Sequence, residues 1–278
     1  MSEFPIEKTD AKPRSRTLLP VILLVVIFSF IPIAGRVLFR DRIAELPEYR
    51  LDAEKIRITS PPEWVGNDFV REVLHASGLD TDASLLDKSL PQKLSQAFSV
   101  APWVEEVRRV EIRYPSGAHI ELVYRTPVAL VAVASQGLYP VDGNGVLLPT
   151  DYFIKVAPQK KNEFPVIEGI GSTPLGTAGT LWGDPLVHVG AQLARILGPV
   201  APELELVKIR VIREAVPNGE RLVGHLRTAG ETEIVWGRID PTAPKNSVKI
   251  QRLREYAKLY ESLDNVPSGF QPIDLTGE

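Results

Sequence analysis

Apolar positions run without a charged side chain from residue 17 to residue 35, and nothing later in the chain is comparable. At 1.5 Å of rise per residue, 18–35 reaches about 27 Å as a helix, close to the ~30 Å hydrocarbon core of a bilayer, and 37–39 add a turn. The pattern predicts a membrane-spanning helix over 18–39, preceded by a polar tail over 1–17. A cleaved signal peptide is the competing reading, because Ile33-Ala34-Gly35 offers small residues. The run is nevertheless longer than a typical apolar signal region and lacks a clean A-x-A site. Lys8, Lys12, Arg14 and Arg16 precede the segment while Arg36, Arg40 and Arg42 follow it, so the charge asymmetry that orients membrane helices is slight. A short tail ahead of a single anchor is the usual plan of a protein with a cytoplasmic N-terminus and a body outside, and that topology is the expectation here.

Beyond the anchor, 40–53 is charged and broken by Pro47, which reads as a membrane-proximal linker. Ile56 and Ile58 alternate with Arg57 and Thr59, a short half-buried strand stopped by Pro61-Pro62. Asn67 or Asp68 can cap a helix with apolar Phe69, Val70, Val73 and Leu74, ended by Gly78. Asp82 or Ser84 can cap a second helical stretch over 85–99, interrupted by Pro91. Val107, Val110 and Ile112 then mark a strand over 104–114, Pro115-Ser116-Gly117 turns the chain, and Ile120, Leu122 and Tyr124 return at period two. The order strand, helix, helix, strand, strand predicts a compact α+β domain over 54–126.

A second domain is expected over 127–278, with a mixed or antiparallel sheet and two packed helices. Residues 128–134 are apolar and β-branched, 138–141 are short and apolar, and Asp142-Gly143-Asn144-Gly145 is a turn signal before Val146-Leu147-Leu148. The expectation there is a hairpin. A long irregular section over 150–183 follows, then an amphipathic helix marked by Leu186, Val189 or Gly190, Leu193 and Leu197 and closed by Gly198-Pro199. Strands over 206–213, 221–227 and 232–236 form a meander, turned at Pro217-Asn218-Gly219 and Ala229-Gly230. Ile250, Leu253, Ala257, Tyr260 and Leu263 line one face of a last helix, with Lys249, Arg252, Arg254 and Lys258 on the other. A strand over 270–275 comes last.

Composition narrows the function. The net charge is -3 with both signs interspersed, which gives no electrostatic footprint for nucleic acid. With no cysteine, disulfides, thiolate catalysis and zinc-thiolate sites are excluded. His75, His119, His188 and His225 are scattered, without the i, i+4 pairing that sets two ligands on one helical face. Gly169-Ile170-Gly171 looks like the start of a dinucleotide loop, yet Pro174 takes the sixth position and removes an amide such a loop needs. No nucleophile elbow, SxxK or Walker pattern occurs. Glu105-Glu106 read as surface carboxylates, the basic positions of the last helix as a solvated face interleaved with Glu255 and Glu261, and Trp64, Trp103, Trp182 and Trp236 as packing residues. The expectation is no enzyme, no cofactor, no metal, no nucleic acid and no small-molecule substrate.

The order of landmarks resembles the bacterial cell-division family FtsQ/DivIB. The likeness is carried by Pro102-Trp103-Val104, by Tyr114-Pro115, and by Tyr124-Arg125-Thr126-Pro127-Val128-Ala129, which is similar to the family's E-x-x-P-V-A passage with Tyr124 where Glu is frequent. Val141-Asp142-Gly143-Asn144-Gly145-Val146, Phe164-Pro165-Val166-Ile167-Glu168-Gly169, Trp236-Gly237-Arg238, the helix with Leu253 and Tyr260, and Ile273-Asp274-Leu275 follow in the same order, over about 220 residues.

The resemblance implies a short cytoplasmic tail, one inner-membrane anchor, a POTRA domain over 54–126 and a β domain over 127–278 outside the membrane, at the division septum. It implies a non-catalytic scaffold that links components of septal peptidoglycan synthesis through sheet edges. Family members usually continue past the Asp-Leu strand with a turn and one more edge strand, which recruits an FtsB/FtsL-like partner by strand addition. This sequence stops at Glu278, so the expected partner-binding edge is Phe270, Gln271, Ile273, Asp274 and Leu275. The alternative is a POTRA-bearing component of secretion or outer-membrane assembly; such chains usually repeat the unit and lead into a barrel, and neither pattern appears here. A membrane-anchored cell-wall hydrolase is a third class, disfavoured by the missing motifs.

Overall fold

The computed structural model describes residues 46–151 and 164–277, apart from 82, 135, 199 and 218. The expected tail, anchor and first part of the linker, and the candidate cap Asp82, lie outside the described residues. Among those residues, no helix is long and apolar enough to cross a membrane. The fold is α+β, with five α-helices and two sheets among the described residues.

The first unit begins with β1 (Ile56–Ile58) and continues through α1 (Phe69–Ser77), α2 (Leu90–Ser99), β2 (Val104–Arg113) and β3 (Gly117–Tyr124). Its sheet has the order β1-β3-β2, with β1 parallel and β2 antiparallel to β3. Phe69, Val73 and Leu74 recur at helical spacing and are buried, as are Leu90, Leu94 and Phe98 of α2, and together they cover Ile120 and Leu122 of the sheet. Gly78 ends α1 in the left-handed conformation, at φ 68°. Asp68 holds the N-cap position, but its carboxylate accepts from Arg71 at 3.2 Å instead of from the helix backbone. The second helix starts five residues later than its apolar pattern suggests. Pro91 sits in its first turn, where an amide has no helical partner to lose, and Asp87 accepts from Ser89 N–H just ahead of it at 2.8 Å. The 46–53 part of the expected linker is fastened to this unit: Ser116 donates from its amide to Glu48 and from its hydroxyl to Pro47, at 2.9 and 2.7 Å.

The second unit is a seven-stranded mixed sheet. Its strands are β4 (Pro127–Val133), β5 (Gly137–Asp142), β6 (Val166–Ile170), β7 (Leu206–Val216), β8 (Gly219–Thr228), β9 (Glu233–Arg238) and β10 (Ile273–Asp274), in the order β10-β9-β8-β7-β6-β4-β5. Between β6 and β7 run α3 (Pro185–Leu197) and α4 (Val200–Glu203); α5 (Lys245–Leu259) lies between β9 and β10. Asp184 caps α3 by accepting from Leu186 N–H at 2.8 Å. Gly190 lets α3 approach β6 closely, since a Cβ there would stand 3.1 Å from Ile167.

The hairpin expected around Asp142-Gly143-Asn144-Gly145 forms, but short: Val141 bridges Leu147 antiparallel, with Asp142 N–H donating to Val146 O at 3.0 Å and Leu148 N–H to Pro140 O at 2.9 Å. The longer pairing is between β4 and β5, while Val146 and Leu147 make only single bridges, to Leu181 and Val141. Asp142 is the reason: its Oδ1 accepts from the amides of Asn144 and Val146, both at 2.9 Å, and curls the backbone into a local turn. Leu148 is thereby carried into the first unit's core, where Leu130 from β4 also packs. The two cores therefore meet through a shared wall.

Arg125 stands at that wall, between the end of β3 and the start of β4. Its Nη1 donates to Asp142 Oδ2 at 2.7 Å, and the two side chains are only 16% and 5% exposed. Its amide donates to Trp103 O at 2.8 Å and its carbonyl accepts from Trp64 Nε1 at 3.1 Å. Removing one member of a buried ion pair leaves the other charge uncompensated. Arg125→Ala is expected to destabilise the protein by about 3 kcal/mol, seen as a lower urea midpoint, with a smaller further loss when Asp142→Asn is added.

Candidate interaction edges

The five residues expected to form the partner-binding edge divide into two groups. Ile273 and Leu275 point into the second core, 2% and 0% exposed, while Asp274 lies between them on the outside. Phe270 is 62% exposed at the end of a 3-10 turn, Ser268–Phe270, and Gln271 donates from Nε2 to Val266 O at 2.8 Å. The strand expected over 270–275 is thus reduced to Ile273-Asp274. The 3-10 turn occupies its first residues, and Pro272 has no amide to give to a ladder.

The short strand still ends the sheet. It runs parallel to β9, with Ile273 beside Ile234 and Asp274 beside Val235, and Leu275 N–H donates to Val235 O at 2.9 Å. Successive residues of a strand present their backbone groups to opposite sides. With Leu275 bonded to β9, the outward amide and carbonyl of this edge belong to Asp274. Its carboxylate accepts from Thr276 N–H at 2.8 Å. That hydrogen bond, with the Thr276 hydroxyl and then the Lys249 and Arg252 charges, holds the Asp274 carboxyl below the usual range.

Two supports fix β10 from behind. Lys249, expected on the solvated face of the last helix, is buried, and its ammonium donates to Trp236 O at 2.6 Å while lying 5.2 Å from the centre of the Trp236 ring. Burial pulls its pKa down, the Lys245 charge adds to that, and Asp274 opposes both. The helix turns this lysine inward because Leu253, four residues on, is fully buried on the same face. The second support is Asp264, which lies within a 3-10 turn, Leu263–Asn265, capped by Ser262. It accepts from Thr228 Oγ1 and from Gly230 N–H, the latter at 2.8 Å, and so ties the chain ahead of β10 to the β8–β9 turn.

The other edges are differently protected. Segment 146–148 lies along β5, with Asp142 N–H donating to Val146 O and Leu148 N–H to Pro140 O. In the first sheet β2 carries exposed Glu105, Glu106, Arg108 and Arg109 and is bulged twice, features that discourage strand addition. Glu105 accepts from Asn144 Nδ2 at 3.4 Å, another link between the units.

The residues weighed for chemistry stay apart. Among the described residues, no three His, Cys, Asp or Glu side chains stand together as a metal site. His188 clips α3 to the 142–145 turn, its Nδ1 2.7 Å from Asn144 O. Trp103, Trp182 and Trp236 are buried, and Trp64 is half-buried against Arg125. Lys249 is the residue that sequence reasoning misplaced; the signal available was its i, i+4 spacing to Leu253. No family model and no curated protein matches the chain.

Burial raises the pKa of Asp264, but hydrogen bonds from Thr228, Thr232 and the Gly230 amide outweigh it and leave the carboxyl below its ordinary value. A folded-state pKa below the unfolded one means the stability it supplies is complete above the ordinary carboxylate range and lost as pH falls through the lowered value. Asp264→Asn is expected to unfold at lower urea than the parent at pH 7, with the two midpoints converging toward pH 3. Equal separation at both pH values would contradict this.

Proposed function

We propose that this chain is a non-catalytic, membrane-anchored scaffold of the bacterial cell-division machinery, of the FtsQ/DivIB kind, with a POTRA domain followed by a β domain. The observation that carries the reading is the element order strand, helix, helix, strand, strand with sheet order β1-β3-β2, leading directly into a mixed sheet that ends on a short edge strand. The element order agrees with the order expected from the sequence pattern, and the edge strand falls within the expected 270–275 but is shorter. The motifs themselves lie at structural joints: Trp103 and Arg125 at the wall between the units, Asp142 in the turn against it, and Ile273 and Leu275 as the anchors of the edge.

The anchor over 18–39 places the body outside the inner membrane, and the two sheets hold partners at a set height above it. A partner of the FtsB/FtsL type adds a strand alongside β10, taking main-chain bonds from Asp274 and side-chain contacts from Phe270 and Gln271. Ile273 and Leu275 serve this edge from inside by seating it on the core. No step of this role requires a reacting group, a cofactor or a metal.

Asp274→Pro removes the outward amide while leaving the Ile273 and Leu275 bonds to β9 in place. Fluorescence of the tagged full-length chain in dividing cells is expected to gather at midcell. With Asp274→Pro, recovery of FtsB/FtsL-like partners on pull-down is expected to fall at least several-fold. A uniform envelope signal for the parent chain would overturn the proposed role.

A further inference from the structure

An aromatic tip closes the end of the first unit where the described chain begins. Tyr114, on the β2–β3 turn, is 63% exposed, and its ring centre lies 5.5 Å from that of half-buried Tyr49. Leu46, three residues before Tyr49, is 47% exposed. The Tyr114 hydroxyl donates to Glu48 Oε2 at 2.7 Å. Turn and entry segment are one piece: Ser116 is bonded to Pro47 and Glu48, Asp52 N–H donates to Ser116 O at 2.8 Å, and Leu85 N–H donates to Tyr49 O at 2.7 Å. Two phenol rings and a leucine are thus presented together by a fixed backbone.

The length of chain ahead of the tip says what covers it. Residues 40–45 alone separate the expected membrane helix over 18–39 from Leu46, and the steps from Phe39 to Leu46 span at most about 25 Å. From the tip, β3 runs its 8 residues toward the wall at Arg125, about 26 Å at the rise of a strand, so the second unit joins at the far end of the sheet. The tip is therefore the part of the described fold that the expected anchor holds nearest the bilayer. Tyrosine settles at a membrane interface with its ring against acyl chains and its hydroxyl among headgroups. Charges of both signs stand in the same segments, Glu48, Asp52 and Glu54 with Arg50, Lys55 and Arg113, so aromatic and apolar contact supplies the attraction and anionic lipid is not required. We propose that Leu46, Tyr49 and Tyr114 seat the first unit on the phospholipid interface, giving the body a second point of contact with the membrane beside its anchor. The inference rests on the membrane-anchored reading and adds what sets the height of the two sheets: contact of this tip with lipid.

The test uses the full chain in neutral phosphatidylcholine nanodiscs. The chain has no cysteine, so Arg113→Cys beside the tip and Lys258→Cys on α5, both exposed, each take a single fluorophore. Phosphatidylcholine carrying a nitroxide on its headgroup is the quencher. The label at 113 is expected to be quenched at least several-fold more strongly than the label at 258. With Leu46→Ser and Tyr114→Ser together, quenching at 113 should fall to the level seen at 258 with the melting temperature unchanged, whereas Tyr114→Trp alone should retain it, since tryptophan shares the interfacial preference. Equal quenching at the two positions in the parent chain, or quenching at 113 that survives the paired serines, would overturn the inference. So would a label at 113 that is shielded from aqueous iodide yet unquenched by the lipid, since protein would then cover the tip. A chain that does not elute with the nanodiscs would overturn the anchored reading and this inference with it. A chain that elutes with them and shows no preferential quenching overturns this inference alone.

Discussion

The ion pair between Arg125 and Asp142 is the contact on which the arrangement of the two units depends. Burying both charges costs several kcal/mol per ion unless every remaining group is satisfied. Asp142 meets that demand with three donors: the Arg125 guanidinium and the amides of Asn144 and Val146. Arg125 is held by its backbone as well, bonded to Trp103 and Trp64 of the first unit, while its buried Nε finds no partner among the described residues. One residue thus fixes the end of β3, the start of β4 and the turn after β5. That turn in turn presses on α3, where a Cβ at Gly145 would stand 3.0 Å from the His188 Cα.

A shared wall follows from this hub. Leu130 and Leu148, which belong to the second unit by sequence, complete the core of the first. The two sheets are therefore held at fixed relative positions. Surface ion pairs such as Lys208–Glu231, Arg227–Glu233 and Arg254–Glu203 decorate the outside and add little each. The rigidity comes from burial.

Local patterns were readable in the sequence and long-range ones were not. The apolar stripes of α1 and α3, the alternation in β2 and β3, and the meander β7–β9 all announce themselves through period 3.6 or period 2, whereas the last helix stops at Leu259 and leaves Leu263 to a 3-10 turn. The Asp-Gly-Asn-Gly string signalled a turn that the Asp142 carboxylate tightens on its own backbone amides, but it could not show that the longer partner of β5 is β4. Lys249 misled because charge outweighs helical phase in a simple reading, and only the position of Trp236 explains its burial. At the expected interaction edge, Pro272 and the turn before it shorten the strand from 270–275 to Ile273-Asp274. The pairing of Arg125 with Asp142 spans 17 residues and two strands, so nothing local could reveal it.

The claim that one buried junction makes two sheet-bearing units into a single rigid body can be measured directly. The chain has no cysteine, so spin labels can be placed at Gln92→Cys on α2 and Lys258→Cys on α5, both exposed. Pulsed dipolar spectroscopy on the full chain should return one narrow distance distribution between them. A broad or two-peaked distribution would show that the units move independently and would contradict the account.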